Sequence, residues 1–229
     1  MMPLPLRRFR RFLGRIAAHR SGVAMIEFAL GLPILLTAGL WGVETVNLSV
    51  AQLKVGQLAI QLADNGSRIG DTSTLEDRKI YESDINDLLL GGNIQAGRQL
   101  DFFTNGRVVI SSLQVDDATG NQYIAWQRCK GMKQFVSAYG TEGDGLQGGL
   151  AGMGPAGAEI TAEPGEAVIY VEVSYDYQPL ISGYFSPATE LRSTAAFNVR
   201  DSRDLSQIYQ RDTGSPDPVS DCGTYSDFS

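Results

Sequence analysis

The only histidine of this 229-residue chain, His19, sits among arginines close to the N-terminus. Residues 23–229 therefore offer no imidazole for a Ser-His-Asp relay, a Cys-His pair or a usual catalytic zinc site. Carboxylates remain available: Asp116-Asp117, or Asp201 with Asp204, have the residue types of a glycosidase pair or of a calcium site. No calcium-loop motif frames them, however, and aspartate in a hairpin turn is the ordinary expectation. The glycine-rich run 140–157 lacks the Gly-Lys-Ser/Thr ending of a phosphate-binding loop, and no clear strand leads into it. It reads as a mobile surface loop. The expectation is a chain with no catalytic residues, no metal and no cofactor. One carboxylate stands apart from all of these, because Glu27 is the single ionisable residue between Val23 and Val43.

That stretch, VAMIEFALGLPILLTAGLWGV, makes a helix of about 31 Å, the thickness of a bilayer's hydrocarbon core. Six arginines (Arg7, Arg8, Arg10, Arg11, Arg15, Arg20) and no acidic residue precede it, although the whole chain carries a net charge of −7. Such segregation marks two compartments, and the positive-inside rule places residues 1–22 in the cytoplasm and the C-terminal bulk outside. The acidic remainder excludes a general nucleic-acid binder. A cleaved secretory signal fits poorly, since its apolar region is shorter and ends in a small-residue cleavage site. An uncleaved anchor fits the length but gives no reason for Glu27, which costs on the order of 2–3 kcal/mol at the centre of a span and less near its end.

Counting back from Glu27, the fifth residue upstream is Gly22, the last residue before the apolar run. A cut between Gly22 and Val23 would leave a mature chain with glutamate at its fifth position, followed by Phe28. The sequence here resembles a type IV prepilin. Arg20, Gly22, Ile26-Glu27-Phe28-Ala29-Leu30 and Pro33 look like the N-terminal signature of the TadE-like and TadG-like minor pseudopilins of tight-adherence (Tad) pili. Trp126-Gln127-Arg128-Cys129, Gly152-Met153-Gly154-Pro155-Ala156-Gly157 and Tyr175-Asp176-Tyr177-Gln178-Pro179-Leu180 are similar to that family more loosely.

The resemblance implies cleavage of the Gly22–Val23 bond by a prepilin peptidase. It also implies partners among other Tad pilins, pseudopilins and the inner-membrane assembly platform, with Glu27 pairing with the freed amine of a neighbouring subunit. Glycine suits such a site because its backbone enters a protease cleft without a Cβ. Glu27 that snorkels to the interface or stays protonated is the plainer alternative. Pro33 removes a backbone hydrogen bond within the span and is expected to kink it, or to be one of the prolines that bilayer helices tolerate.

Beyond the span, Leu48, Ala51, Val55, Leu58 and Leu62 recur every three or four residues, which continues the helix as a stalk over 44–66, with Asn65-Gly66 as its stop. A second helix is expected over 75–90, from a capping signal at Ser73-Thr74 to Gly91-Gly92. Strands are predicted at 107–115, 122–129, 167–177 and 191–199, the first two joined by the turn at 116–121. In the third, Ile169, Val171, Val173 and Tyr175 share one face against Glu172, Ser174 and Asp176 on the other. The fold class is α+β: a long N-terminal transmembrane helix with a small antiparallel sheet of about four strands packed on it. The periplasmic domain would span 67–200, followed by an irregular tail, 201–229. An oxidising outer compartment favours a Cys129–Cys222 bridge that ties this tail over two free thiols.

Overall fold

A computed structural model describes residues 14, 20–71, 77–98, 100–184, 189–200 and 202–228. Most of the basic leader thus lies outside the described residues, as do residues 72–76, which include the expected capping signal. The chain forms two compact units, Met1–Asn47 with Pro179–Ser186, and Leu48–Gln178 with Pro187–Ser229.

Helix α1, Arg20–Gly66, runs unbroken for 47 residues and contains Pro33. It is one helix long and apolar enough to cross a membrane, with an 18-residue window of mean hydropathy 2.0 that is wholly unburied. In the second unit, Ala51, Val55, Leu58, Ala59, Leu62 and Ala63 of α1 are buried in the principal core, the stripe the spacing predicts. At its end, a Cβ on Gly66 would come within 3.1 Å of Ile169. The glycine there allows the helix to close onto the sheet.

Helix α2, Glu82–Ala96, corrects the expected 75–90. Asp84 accepts a hydrogen bond from the Tyr81 amide at 3.1 Å, which closes the first turn from the N-terminal side. Gly91-Gly92 falls inside the helix and does not stop it. The reason is packing: a Cβ on Gly92 would lie 3.0 Å from Leu62 and 3.2 Å from Leu58, so the missing side chain lets α2 approach α1. Local glycine rules see only the loss of helix propensity, about 1 kcal/mol, which close packing here outweighs. A short helix, α3 (Phe102–Asn105), leads into the sheet and buries both Phe102 and Phe103.

Strands β1 (Gly106–Val115), β2 (Gln122–Lys130), β3 (Ala167–Asp176) and β4 (Glu190–Asn198) lie within one residue of their predicted limits. They pair antiparallel in the order β2-β1-β3-β4. The β1–β2 hairpin turns through Asp116–Asn121, with Gly120 at φ 71° donating to Asp116 at 2.7 Å. The stalk part of α1 packs on the face bearing Ile169, Val171, Val173 and Tyr175.

The other face of β3 is not the solvated one its polar residues suggest. Leu113, Ile124, Val168 and Tyr170 form a second small core there with Met153 and Ala162. Buried Glu172 accepts hydrogen bonds from the Ser137 hydroxyl at 2.5 Å and the Ala138 amide at 2.9 Å. Burial raises its pKa, and the Ser137 and Ala138 hydrogen bonds and the charge of Arg192 oppose that rise.

The glycine-rich run lies along the outer edge of β2. Ile124 donates its amide to Asp144 at 2.9 Å, Gly143 donates to Ile124 at 2.8 Å, and Leu150 donates to Gln122 at 2.9 Å. Gly145 has φ 97°, and a Cβ on it would stand 2.2 Å from the Gln122 oxygen, so the approach needs glycine. The run thus covers an edge that would otherwise present unpaired backbone groups.

Candidate functional site

The residues singled out for processing and assembly all lie on the exposed, apolar first half of α1. Gly22, Val23, Glu27, Phe28 and Pro33 are solvent-facing, and Val23, Met25, Ile26 and Phe28 expose more than half of their surface. A helix whose large apolar side chains all point outward has no core of its own to face. It needs lipid or a partner helix, and Glu27 is the single ionisable residue between Val23 and Val43. Nothing in the space around Gly22 would meet an added Cβ. The Pro33 carbonyl takes an additional hydrogen bond from the Thr37 hydroxyl at 2.7 Å, a local partner of the kind that prolines in apolar helices use.

At the far end of this segment stands a residue the sequence reading passed over. Glu44 is buried, and its carboxylate accepts the backbone amides of Leu180 at 3.2 Å and Ile181 at 2.9 Å. Charge-assisted hydrogen bonds of this type are roughly twice as strong as neutral ones. Segment Pro179–Ser186 belongs to the same compact unit as this part of the helix. The only sequence signal was positional, since Glu44 is the first ionisable residue after the apolar run; its partners lie 136 and 137 residues away.

In the second unit, Cys129 and Cys222 are bonded across 93 residues. The bridge does not hold the tail alone. Arg107 of β1, fully buried, donates through Nη1 to the carbonyls of Gly131 at 2.8 Å and Thr224 at 3.1 Å, and through Nη2 to that of Cys222 at 2.7 Å. Its guanidinium lies 3.9 Å from the centre of the Tyr225 ring. Burial lowers the Arg107 pKa, and Tyr225 and Asp221 work against that shift. The tail also completes the β2 edge: Cys129 donates to Ser220 at 2.8 Å and Gly131 to Ser226 at 2.9 Å.

The three internal segments singled out in the sequence fall on the sheet and its borders. Trp126–Cys129 is the middle of β2, where Arg128 pairs with Glu82 of α2 at 2.5 Å, both side chains largely buried. Gly152–Gly157 ends the glycine-rich run, with its Met153 side chain buried in the second small core. Tyr175–Leu180 leaves β3 and ends at the amide that Glu44 holds.

The carboxylates considered for acid/base work serve turns. Asp116 accepts from the Thr119 hydroxyl at 2.5 Å, and this bond, helped by the Ala118 amide, holds its pKa low. Asp204 accepts from Ser206 at 2.6 Å and from the Tyr209 hydroxyl. Asp201 lies outside the described residues. Among the described residues, no group of three or more His, Cys, Asp or Glu side chains is placed to hold a metal ion. No protein-family model, curated protein or solved structure matches this chain, so its reading rests on its own residues.

Proposed function

We propose that this chain is a non-enzymatic minor pseudopilin of a Tad-type pilus. It is an inner-membrane subunit with a cytoplasmic N-terminus and a periplasmic C-terminal domain, processed by a prepilin peptidase. It assembles with other pilins, pseudopilins and the membrane platform through its N-terminal helix. The observation that carries the reading is Glu27 on an outward-facing apolar helix, five residues after Gly22 and behind a leader of six arginines. An unpaired carboxylate within a span is costly, and an amine created at Val23 of a neighbour would relieve that cost in only one register.

The deciding experiment is the N-terminal sequence and intact mass of the protein extracted from its native membrane. A chain that begins at Val23 supports the proposal. A chain that begins at Met1 or Met2 overturns processing and favours a second reading, an uncleaved, membrane-anchored scaffold of TadG-like type. That second reading draws support from α1 itself, which is already helical at Arg20, so the Gly22–Val23 bond must unwind to enter a protease cleft. Glycine, the weakest helix former after proline, makes this the easiest place to do so.

Two variants separate the steps. Gly22→Leu is expected to abolish cleavage while insertion in the membrane persists, read as a full-length band in the membrane fraction. Glu27→Ala is expected to be cleaved normally yet to reduce surface pili at least about tenfold, the loss of an interaction worth on the order of 1.4 kcal/mol or more. Unchanged piliation in Glu27→Ala would remove the assembly role of this residue.

A further inference from the structure

We infer that segment Pro179–Tyr184 is a membrane-surface element, held by Glu44 at the level where the spanning helix leaves the bilayer, with Leu180, Ile181 and Tyr184 inserted at the boundary between headgroups and acyl chains. The inference rests on the spanning role of α1 and is independent of whether the leader is cleaved.

The apolar run from Val23 to Val43 spans the hydrocarbon thickness by itself, so the next residue, Glu44, falls at an interface. Trp41 lies one turn earlier and is 63% exposed, as expected of an aromatic residue in the interfacial belt. A bare carboxylate so close to the acyl chains would be costly, and here its oxygens are hydrogen-bonded in place by the amides of Leu180 and Ile181. Those two hydrogen bonds also fix the depth of the segment, because each amide must stay within about 3 Å of a group on the helix.

At that depth the segment exposes the side chains a membrane interface accepts. Leu180 is 66% exposed and Ile181 37%, and Tyr184 is 92% exposed. Two aliphatic side chains and a tyrosine, whose ring is apolar and whose hydroxyl seeks water, form the pattern of an interfacial anchor. Residues 177–184 include no lysine, arginine, aspartate or glutamate to oppose insertion. The occupant is therefore lipid, continuous with the surface of the helix beside it. A second protein at this position would have to compete with the bilayer that the helix itself requires.

The test uses the full chain, reconstituted in vesicles of phosphatidylcholine and phosphatidylglycerol, with the native disulfide intact. A single cysteine at Leu180→Cys or Tyr184→Cys carries an environment-sensitive nitrobenzoxadiazole dye, and Leu35→Cys marks mid-span. Dyes at 180 and 184 should emit in the blue-shifted, lipid range and be quenched about threefold more by lipid spin-labelled near the headgroup than by lipid labelled deep in the chain, with the reverse order at 35. Water-like emission at 180 and 184 overturns the proposal. So does blue-shifted emission that no spin-labelled lipid quenches, which would mean that protein covers the segment. Glu44→Ala should return the dye at 184 to water-like emission while 35 keeps its depth, and Glu44→Gln, which retains one acceptor oxygen, should give a partial return. An unchanged depth at 184 in Glu44→Ala would overturn the role of Glu44 as the clamp.

Discussion

Replacing both bridge cysteines, Cys129→Ala with Cys222→Ala, is expected to lower the stability of the second unit by about 4–5 kcal/mol, the chain-entropy value for a loop of this length. The bond closes 93 residues, which include β3, β4 and the edge-covering run, so its loss frees a large part of the unfolded chain. For a unit of this size the melting temperature should fall by about 10–15 °C, measured by circular dichroism on the detergent-solubilised protein with and without reductant. The native chain in reductant should approach the variant. A shift below about 2 °C would show that the tail is held almost wholly by its other contacts.

Arg107→Met is expected to cost on the order of 3 kcal/mol, because it leaves the carbonyls of Gly131, Cys222 and Thr224 without their buried donor. Methionine keeps most of the volume, so the loss reports the hydrogen bonds and the stacking on Tyr225 more than a cavity. Arg107 and the disulfide grip the same short stretch, Cys222–Tyr225, so their effects should not add. In a double-mutant cycle, the combined loss should fall short of the sum by about 1 kcal/mol or more, since a tail already released by one change has little left to lose through the other. Full additivity would mean that the two act on separate parts of the fold. Hydrogen exchange offers an independent view: the amides of Cys129 and Gly131, which donate to the tail, should lose protection in either single variant before those at the centre of β1 do.

The expected elements came through where the signal was local. The stripe from Leu48 to Leu62 packs as its spacing predicts, and the four strands and the 116–121 turn stand within a residue of their expected places. The failures have a common cause. Gly91-Gly92 stops a helix by local rules, yet Leu58 and Leu62 of another helix need that space. The run 140–157 has the composition of a mobile loop, yet its glycines allow backbone to lie against the free edge of β2. Likewise, alternation in β3 suggests one polar face, and only the chain that folds over that face buries Glu172 and Tyr170.

At the candidate site the division follows the same line. Gly22, Glu27 and Pro33 stand out in the sequence because each is singled out by neighbours within about ten residues and by the solvent such a stretch demands. Glu44 and Arg107 do not, since each acquires its role from backbone groups on segments remote in sequence, and no local pattern encodes a carbonyl 115 residues away.

Composition and order along the chain by themselves determined the basic leader, the single apolar span, the charge within it and the periodicities of helix and strand. These are properties of short stretches interacting with water or lipid. Only the tertiary structure decided which face of the sheet is covered, what closes its edge, how the tail is bound and which amides bind Glu44. Each of those depends on burying a polar group next to a partner, and the partner is chosen by the path of the whole chain.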